Sequence, residues 1–303
     1  MGHGQLEVRL NNKEYKNWLK AGRCLLILKE GLHPFVNRET RHFHRHLLDQ
    51  VALLQTPCMT SCRPRGNKLS KVCSACSTWQ KMILRHHRQP DGTVNWDNCF
   101  PPAWRTDHWE VAKAFMPRGQ AQKKGAHECD APALLNLINY CNHFRVDVKY
   151  VKEVIRYRNH LMHSDMEVTD DWMSHYRTSL THLVQQFSNV PEMAATKQQI
   201  NHMLAVDLSI SASGWDQRDS ALEFDSDSQP EISADIIRQW EAELLQERLE
   251  ELLHVAAAPA DDDKETLDAE QLMTLGGFLQ TNTDLAERFS AELQAINSLK
   301  AGK

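Results

Sequence analysis

The chain has 303 residues, of which 41% are hydrophobic and 25% are charged. This composition is ordinary for a globular protein, so we expect a real core in one large domain or two modest ones. The longest apolar run, residues 24–28, is far too short to span a bilayer, and the N-terminus lacks the apolar core of a signal peptide. These features exclude a membrane protein and predict an intracellular one, cytoplasmic or nuclear, whose eight cysteines are thiols or metal ligands.

The net charge of −5 conceals a strong asymmetry along the chain. Residues 1–125 carry 21 Lys and Arg against 9 Asp and Glu, whereas residues 126–303 carry 14 against 31. A basic first half can contact nucleic acid, a phosphate or the acidic second half. The alternative is that these charges only solvate the outer faces of helices.

Helical periodicity dominates the first fifty residues. Apolar residues predict one helix at 13–30, in which Gly22 is a weak point, and a second at 34–54. Pro34 suits the first turn of that second helix. A cysteine- and proline-rich insert at 56–105 then interrupts the pattern.

Further helices follow, and two of them have recognisable starts. Asp107 and Glu110 resemble a capping box, and Thr169 is a cap followed by acidic charge. Besides one helix inside the insert, at 76–88, we predict helices at 107–115, 130–142, 147–163, 169–189 and 195–206.

A change in composition marks the last third. Residues 208–231 are rich in Ser and Asp and predict a linker between a helical domain at 1–207 and a helical tail at 232–303. Within the tail we predict amphipathic helices at 232–256, 265–280 and 283–299. The first carries a heptad-like apolar stripe, which could fold back on the domain or bind a partner helix.

The segment from Arg158 to His163 has the clearest chemical focus. Asn159 and His163 are four residues apart and share a helix face, so the amide could orient the imidazole. RNA transesterification needs a proton acceptor and donor, which His163 could be, and a cation for the phosphorane, which Arg158 could be. Arg158 lies about 140° around the helix from His163, so the helix must bend or a second copy in a homodimer must complete the site. The alternative is that His163 only stabilises the helix dipole and Arg158 only forms a salt bridge with Glu153 or Asp165.

This Arg-Asn-x-x-x-His pattern in an all-helical chain resembles a HEPN domain. The resemblance implies a bundle of four or five helices that often dimerises and often cleaves RNA without a metal. It also implies Arg158 as the phosphate stabiliser, Asn159 as the orienting residue and His163 as the acid/base group.

A more specific resemblance covers most of the chain. The string Trp-Glu-Val-Ala-Lys-Ala-Phe-Met-Pro-Arg-Gly at 109–119, with residues 14–18 and 83–87, is similar to the uncharacterised vertebrate family of the human chromosome X open reading frame 38 protein. The same block resembles the HEPN domain of the DAZ-interacting ubiquitin ligases and of some innate-immune receptors. Those relatives bind RNA or serve in signalling.

The insert contains two close pairs of cysteines, and their spacing is near that of a zinc ribbon. Cys58-x3-Cys62 and Cys73-x2-Cys76 could supply four thiolates to a structural zinc ion with no open position for water. A metal would add folding energy to a Pro-rich segment that packs poorly. The alternative is four free thiols.

The insert is also basic and contains three tryptophans, which together could grip single-stranded RNA. We expect at least two of the tryptophans to be core residues instead. The predicted RNA-binding residues are Lys81, Arg85, Lys113 and Arg118.

The sequence therefore predicts an all-α, HEPN-like bundle with a possible zinc-binding insert and a helical tail. Its predicted function is RNA binding, with metal-independent endoribonuclease activity as an extension that needs no cofactor. The alternative is a non-catalytic adaptor, acting in innate immune signalling, whose tail binds a protein partner.

Overall fold

The computed structural model describes residues 3–89, 94–208, 232–256 and 265–301. These residues contain no β-strand, which confirms the predicted all-α class. The linker predicted at 208–231 lies, except for its first residue, outside the described residues. The α-helices of the described residues are α1 (His3–Leu10), α2 (Lys13–Gln50), α3 (Ser74–His86), α4 (His108–Ala112), α5 (Ala131–Tyr140), α6 (Val148–His163), α7 (Asp170–Gln185), α8 (Pro191–Ala205), α9 (Ala234–Ala256), α10 (Glu265–Thr281), α11 (Thr283–Arg288) and α12 (Ser290–Ala301).

The chain divides into two compact units. The first unit contains Met1–Arg23, His160–Met173 and Ala205–Lys303, and the second contains Cys24–Asn159 and Ser174–Leu204. The N-terminal segment and the helical tail therefore belong to the same unit, although they are far apart in sequence.

Helix α2 corrects the prediction of two helices at 13–30 and 34–54. It is one helix of 38 residues with Pro34 in its interior. Proline removes one N–H donor from the helical ladder. The helix continues nevertheless, because an apolar face is buried on both sides of the proline, as Leu32 and Val36 show.

Side-chain caps begin several of the short helices. Asp107 accepts a hydrogen bond from the backbone N–H of Trp109 at 2.8 Å, and Asp130 accepts one from Ala133 at 2.8 Å. Asp107 is thus the predicted cap, but Glu110 does not close a capping box. Its carboxylate instead accepts from the backbone N–H of Phe100 at 2.8 Å.

The first unit packs α2 closely against the tail helix α9. A Cβ on Gly22 would lie 2.4 Å from Cδ1 of Leu244, so the absence of a side chain permits this approach. The apolar stripe of α9 is buried, including Ile237, Leu245 and Leu249. Of the two predicted alternatives for this stripe, the fold-back is the one observed.

A buried ionic network fastens α1 to the tail in the same unit. The Arg9 guanidinium donates to both carboxylate oxygens of Glu241, at 2.7 and 2.8 Å, and to those of Asp284, at 3.0 and 2.8 Å. The Tyr15 hydroxyl donates to Glu241 at 2.6 Å, and the Asn282 side chain accepts from Arg9 at 3.0 Å. The network leaves the guanidinium well satisfied, although burial alone would destabilise its charge.

The tail also departs from prediction at its end. A single helix was predicted at 283–299, but α11 ends at Arg288 and α12 begins at Ser290. Phe289, between them, has φ −104° and ψ 30° and is 3% exposed. None of the helices in the described ranges has both the length and the apolarity that crossing a membrane would require.

The second unit has an aromatic core that surrounds α3 and α4. The indole N–H of Trp79 donates to the Leu54 carbonyl at 3.3 Å, and that of Trp104 donates to the Glu110 carbonyl at 3.1 Å. The three tryptophans of the insert, Trp79, Trp96 and Trp104, are all buried. They are core residues, which leaves them unavailable for stacking on RNA.

Candidate metal centre and basic surface

Four cysteine sulfurs of the second unit converge on a common point. The Sγ atoms of Cys58, Cys62, Cys73 and Cys76 all lie within 4.8 Å of one another. Zn–S bonds of about 2.3 Å in a tetrahedron require S···S separations of about 3.8 Å. The Sγ atoms of Cys58 and Cys73 are already 3.9 Å apart, so only small side-chain movements separate this cluster from the geometry of a metal site.

Local backbone structure brings the two cysteine pairs together. Ser61 and Lys71 have left-handed φ angles of 48° and 57° and turn the chain just before Cys62 and Cys73. Cys73 is the N-cap of α3, and Cys76 lies in its first turn. The second pair therefore projects from a helix N-terminus, where backbone N–H groups favour negative charge.

Hydrogen bonds from the backbone prepare part of the cluster for ionisation. The N–H of Cys62 donates to the Cys58 sulfur at 3.4 Å, and that of Cys73 donates to the Cys62 sulfur at 3.2 Å. Partial burial opposes ionisation of Cys73, but backbone hydrogen bonds from Cys76 and Met59 outweigh it and lower the pKa of Cys73 to about 6. The pKa of Cys58 is lowered in the same way.

The fourth thiol behaves oppositely. Burial raises the pKa of Cys76, and hydrogen bonds to the Cys58 and Cys73 sulfurs add to the increase. Four thiolates this close repel one another unless a cation lies between them. The donor set therefore fits a thiophilic divalent ion such as zinc, and a shell of four thiolates leaves no open coordination position for catalysis.

His87 and Cys99, whose side chains could also bind a metal, take part in other contacts. The His87 ring is stacked on Phe115 at 5.5 Å and 11° and on Tyr140 at 5.1 Å and 13°. Cys99 is buried, and its burial raises its pKa far above the usual range. Among the described residues, the metal-competent group contains the four cysteines alone.

Positive charge is concentrated in the segment of the sequence that contains the four cysteines. Residues 51–90 contain seven Lys and Arg and neither Asp nor Glu. Six of these cations have exposed side chains, and we call them the insert surface: Arg63, Arg65, Lys68, Lys71, Lys81 and Arg85. Within the parts of the chain that the structure describes, none of the six forms a salt bridge.

The insert surface includes an exposed aromatic ring. Phe100 is 39% exposed, and the Arg63 guanidinium lies 4.9 Å from the centre of its ring. The seventh cation, Arg88, is structural instead. Its guanidinium donates to the carbonyls of Ile138 and Asn139 in the last turn of α5, at 2.7 and 2.8 Å.

The four predicted RNA-binding residues differ in accessibility. Lys81, Arg85 and Arg118 are exposed. Lys113 is 1% exposed, and its ammonium donates to the Glu110 carboxylate at 2.6 Å and to the Ala121 carbonyl at 2.8 Å. A role for Lys113 in RNA binding would require that ion pair to open.

The residues of the predicted nuclease motif all lie on α6 but differ in burial. The Arg158 side chain is 3% exposed, whereas Asn159 and His163 are exposed. Nδ1 of His163 makes a 2.5 Å hydrogen bond to the Gln271 side chain, within the first unit. An RNA phosphate can reach the imidazole, but it cannot reach the buried guanidinium without rearrangement of the side chains that cover it.

Sequence reasoning did not find two features of the molecule. One is the Arg9 network, whose partners are 232 and 275 residues away, so no local pattern reveals it. The other is a cavity beside His87, formed by residues of the insert, the 109–119 block and α5. The long 109–119 string was the one signal that pointed to this second region.

Comparisons with known proteins identify the family. A family model described as a domain of unknown function, DUF4559, matches residues 9–302. A mouse (Mus musculus) protein described as "Uncharacterized protein CXorf38 homolog" is 43% identical to this chain. The match covers 97% of this chain and 92% of the mouse protein. No solved structure matches the chain.

Proposed function

We propose that this chain, which belongs to the DUF4559 family, binds RNA through the insert surface and that a structural zinc ion holds that surface in shape. The observation that carries the proposal is the forty-residue stretch at 51–90, which has seven Lys and Arg, six of them exposed, and no Asp or Glu. A chain with net charge −5 does not concentrate unopposed cations in one segment unless something anionic binds there or the charge is tolerated as solvated surface. The proposal takes the first of these alternatives.

Three features support RNA as the anion. Flexible exposed cations contact phosphates without reading sequence, and the Phe100–Arg63 pair adds one exposed face on which a base can stack. The four thiols fix both ends of the loop that carries Arg63, Arg65, Lys68 and Lys71. The resemblance of the α6 motif to HEPN domains, some of which bind RNA, favours RNA over other polyanions.

The proposal concerns binding rather than cleavage. Arg158 is buried, so the guanidinium that the nuclease mechanism needs is not presented to a phosphate. Endoribonuclease activity with Arg158, Asn159 and His163, and the homodimer that could complete such a site, stay predictions. The adaptor function is the second candidate. It is favoured by the same burial of Arg158, but the buried stripe on α9 means that a partner helix must find another face.

The test measures the affinity of the full chain for single-stranded RNA at several salt concentrations. The double variants Lys81→Ala/Arg85→Ala and Arg63→Ala/Arg65→Ala are compared with the control Lys124→Ala/Arg145→Ala, which removes two exposed cations of the same unit outside residues 51–90. Each insert variant should weaken binding and reduce the slope of log K against log salt by about 1.4, because each phosphate contact to a single strand contributes about 0.7. The control should leave both unchanged.

Equal effects in all three double variants would mean that binding follows net charge and not the insert surface. Absence of RNA binding at low salt would remove the RNA proposal and leave the adaptor. The same samples, incubated with RNA and compared with His163→Ala, test cleavage. Products with 2′,3′-cyclic ends that the variant fails to make would extend the proposal to catalysis.

A further inference from the structure

A cavity of about 260 Å³ lies in the second unit, outside the cysteine cluster and the α6 motif. Its volume is just below the ~300 Å³ at which pockets for drug-sized ligands usually begin, so it suits one small ring system rather than a chain of them. The residues that line the cavity include His87, Asn95, Phe115, Arg118, Asn136 and Tyr140.

One wall of the cavity is a stack of three parallel rings. His87 lies between Phe115 and Tyr140, with interplanar angles of 11° and 13°. Both faces of His87 are covered by the other two rings and Phe115 is 1% exposed, so the ring face that remains for a ligand is that of the half-buried Tyr140. A planar heteroaromatic ring is the ligand shape that such a surface accommodates best.

His87 also supplies a hydrogen-bond donor. Nδ1 of His87 accepts a hydrogen bond from the backbone N–H of Gln89 at 3.1 Å, so the neutral ring carries its proton on Nε2. Burial lowers the pKa of His87, which keeps the ring neutral near pH 7. Nε2–H is therefore the hydrogen-bond donor that His87, one of the residues lining the cavity, has available.

Asn95 supplies a hydrogen-bond acceptor among the residues that line the cavity. The Asn95 side chain donates to the Met116 carbonyl at 2.9 Å, and its own Oδ1 is buried with no hydrogen-bond partner in the part of the chain that the structure describes. A buried carbonyl oxygen without a donor is costly, and because Asn95 lines the cavity, an N–H of a ligand there could supply the missing donor. Exocyclic amines and ring N–H groups of nucleobases are donors of this kind.

Arg118 supplies charge at the cavity. Its side chain is exposed, and it has no salt bridge to the residues that the structure describes. A guanidinium binds a phosphate with two parallel hydrogen bonds. The cavity therefore combines a flat wall, a donor, an acceptor and a cation.

We propose that this cavity binds a single nucleotide, with its base against the ring stack and its phosphate on Arg118. The proposal rests on the proposed function and deepens it: the insert surface would hold the RNA backbone without sequence preference, and the cavity would take one unstacked base. His87 links the two regions in sequence, because it directly follows α3, which carries Lys81 and Arg85.

The experiment titrates the full, zinc-loaded chain with AMP, GMP, CMP and UMP by calorimetry. Separate titrations use the matching nucleosides and inorganic phosphate. We expect at least one nucleotide to bind, its nucleoside to bind more weakly, and phosphate alone to bind most weakly. Arg118→Ala should weaken nucleotide binding about tenfold or more, the loss of one charge-assisted contact, and should leave nucleoside binding unchanged.

Two further variants keep the result interpretable. Arg145→Ala removes an exposed arginine of the same unit outside the cavity and should leave nucleotide binding unchanged. Tyr140→Leu removes one ring of the stack and should weaken both nucleotide and nucleoside. A melting curve for each variant verifies that it is folded.

Absence of binding by every nucleotide at millimolar concentration overturns the inference. So does a loss of affinity in Arg118→Ala that Arg145→Ala reproduces. Failure here is distinguishable from failure of the proposed function, because RNA binding that depends on Lys81 and Arg85 can persist without any mononucleotide affinity.

Discussion

The two units each contain a polar cluster, and the two clusters differ in whether the protein itself satisfies their charges. In the first unit, Arg9 finds Glu241, Asp284 and Asn282, so positive and negative groups satisfy one another within the protein. In the second unit, four thiols meet with no counter-charge among them, and two already have lowered pKa values. The charges of the first cluster are therefore satisfied within the protein, whereas the second cluster has four sulfur atoms that could bind a cation.

The strongest way to break this comparison is to remove a thiol. Cys62→Ser should abolish binding of one zinc ion per chain and unfold the segment around the cluster, since structural zinc contributes about 10–16 kcal/mol in small zinc domains. Zinc content by mass spectrometry, and limited proteolysis near residues 56–73, would measure the effect. The matched control is Cys141→Ser, at a buried cysteine outside the cluster.

Removal of the metal should have the same result as the substitution. A strong chelator added to the wild-type chain should expose the same proteolytic sites, and zinc should restore protection. A chain that contains no zinc after purification in zinc-replete medium, with an unchanged digest in Cys62→Ser, would show that the cluster is four free thiols.

Loss of Glu241 should break the Arg9 network of the first unit. Glu241→Ala leaves the Arg9 guanidinium and the Tyr15 hydroxyl short of a buried acceptor, which should cost about 3–5 kcal/mol in the free energy of unfolding. Chemical denaturation measures this. Glu243→Ala, two residues away, removes a half-exposed carboxylate 3.8 Å from Arg23 and should change stability by less than about 1 kcal/mol.

Arg248 tests whether the first unit tolerates charge without a partner. It is 1% exposed, and among the described residues its three guanidinium nitrogens have no hydrogen-bond partner. Burial lowers its pKa to about 10 against the attraction of Asp165 and Glu251. Because burying a guanidinium without hydrogen bonds costs free energy, Arg248→Met should raise the free energy of unfolding. Arg288→Met, at an exposed arginine of α11, should have little effect, and a destabilised Arg248→Met would mean that the guanidinium is more useful than its contacts indicate.

The smallest expected effect needs no substitution and concerns the reactivity of Cys73 in the wild-type chain. In zinc-free protein, a Cys73 pKa of about 6 predicts alkylation at pH 7 far faster than at Cys141, whose buried thiol has its pKa raised to about 12. The rate at Cys73 should fall as pH drops through 6. Because this pKa is lowered on folding, the contribution of Cys73 to stability is present above the pKa of the unfolded thiol and is lost as pH falls through about 6. Peptide mapping after timed alkylation measures both, and bound zinc should protect Cys73.

Features with a local cause could be predicted from the sequence. The cap at Asp107, the helix that carries Arg158 and the pairing of the four cysteines all depend on residues within about twenty positions of one another, and each was found. The prediction that a second helix begins at Pro34 was wrong. The apolar faces buried on both sides of the proline stabilise the helix by more than one missing hydrogen bond destabilises it. Gly22 resembled a weak point only because its partner Leu244 is more than two hundred residues away.

The candidate site shows the same division. Spacing alone brought Cys58, Cys62, Cys73 and Cys76 together, because thiol pairs on short loops leave few alternatives. The burial of Arg158 and of Lys113 could not be predicted, since periodicity assigns a face to a residue but does not reveal what packs over it. The ring stack at His87 joins residues from three separate segments and has no sequence signature.

The Arg9 network also limits how early during synthesis the first unit can complete its folding. Glu241 is synthesised 232 residues after Arg9, and Asp284 follows later still. At about 5–20 residues per second, the ribosome needs roughly 10 to 50 s to bridge that interval. The first helix to emerge must therefore wait for the last ones, and during that time Arg9 lacks the carboxylates that it binds in the folded chain.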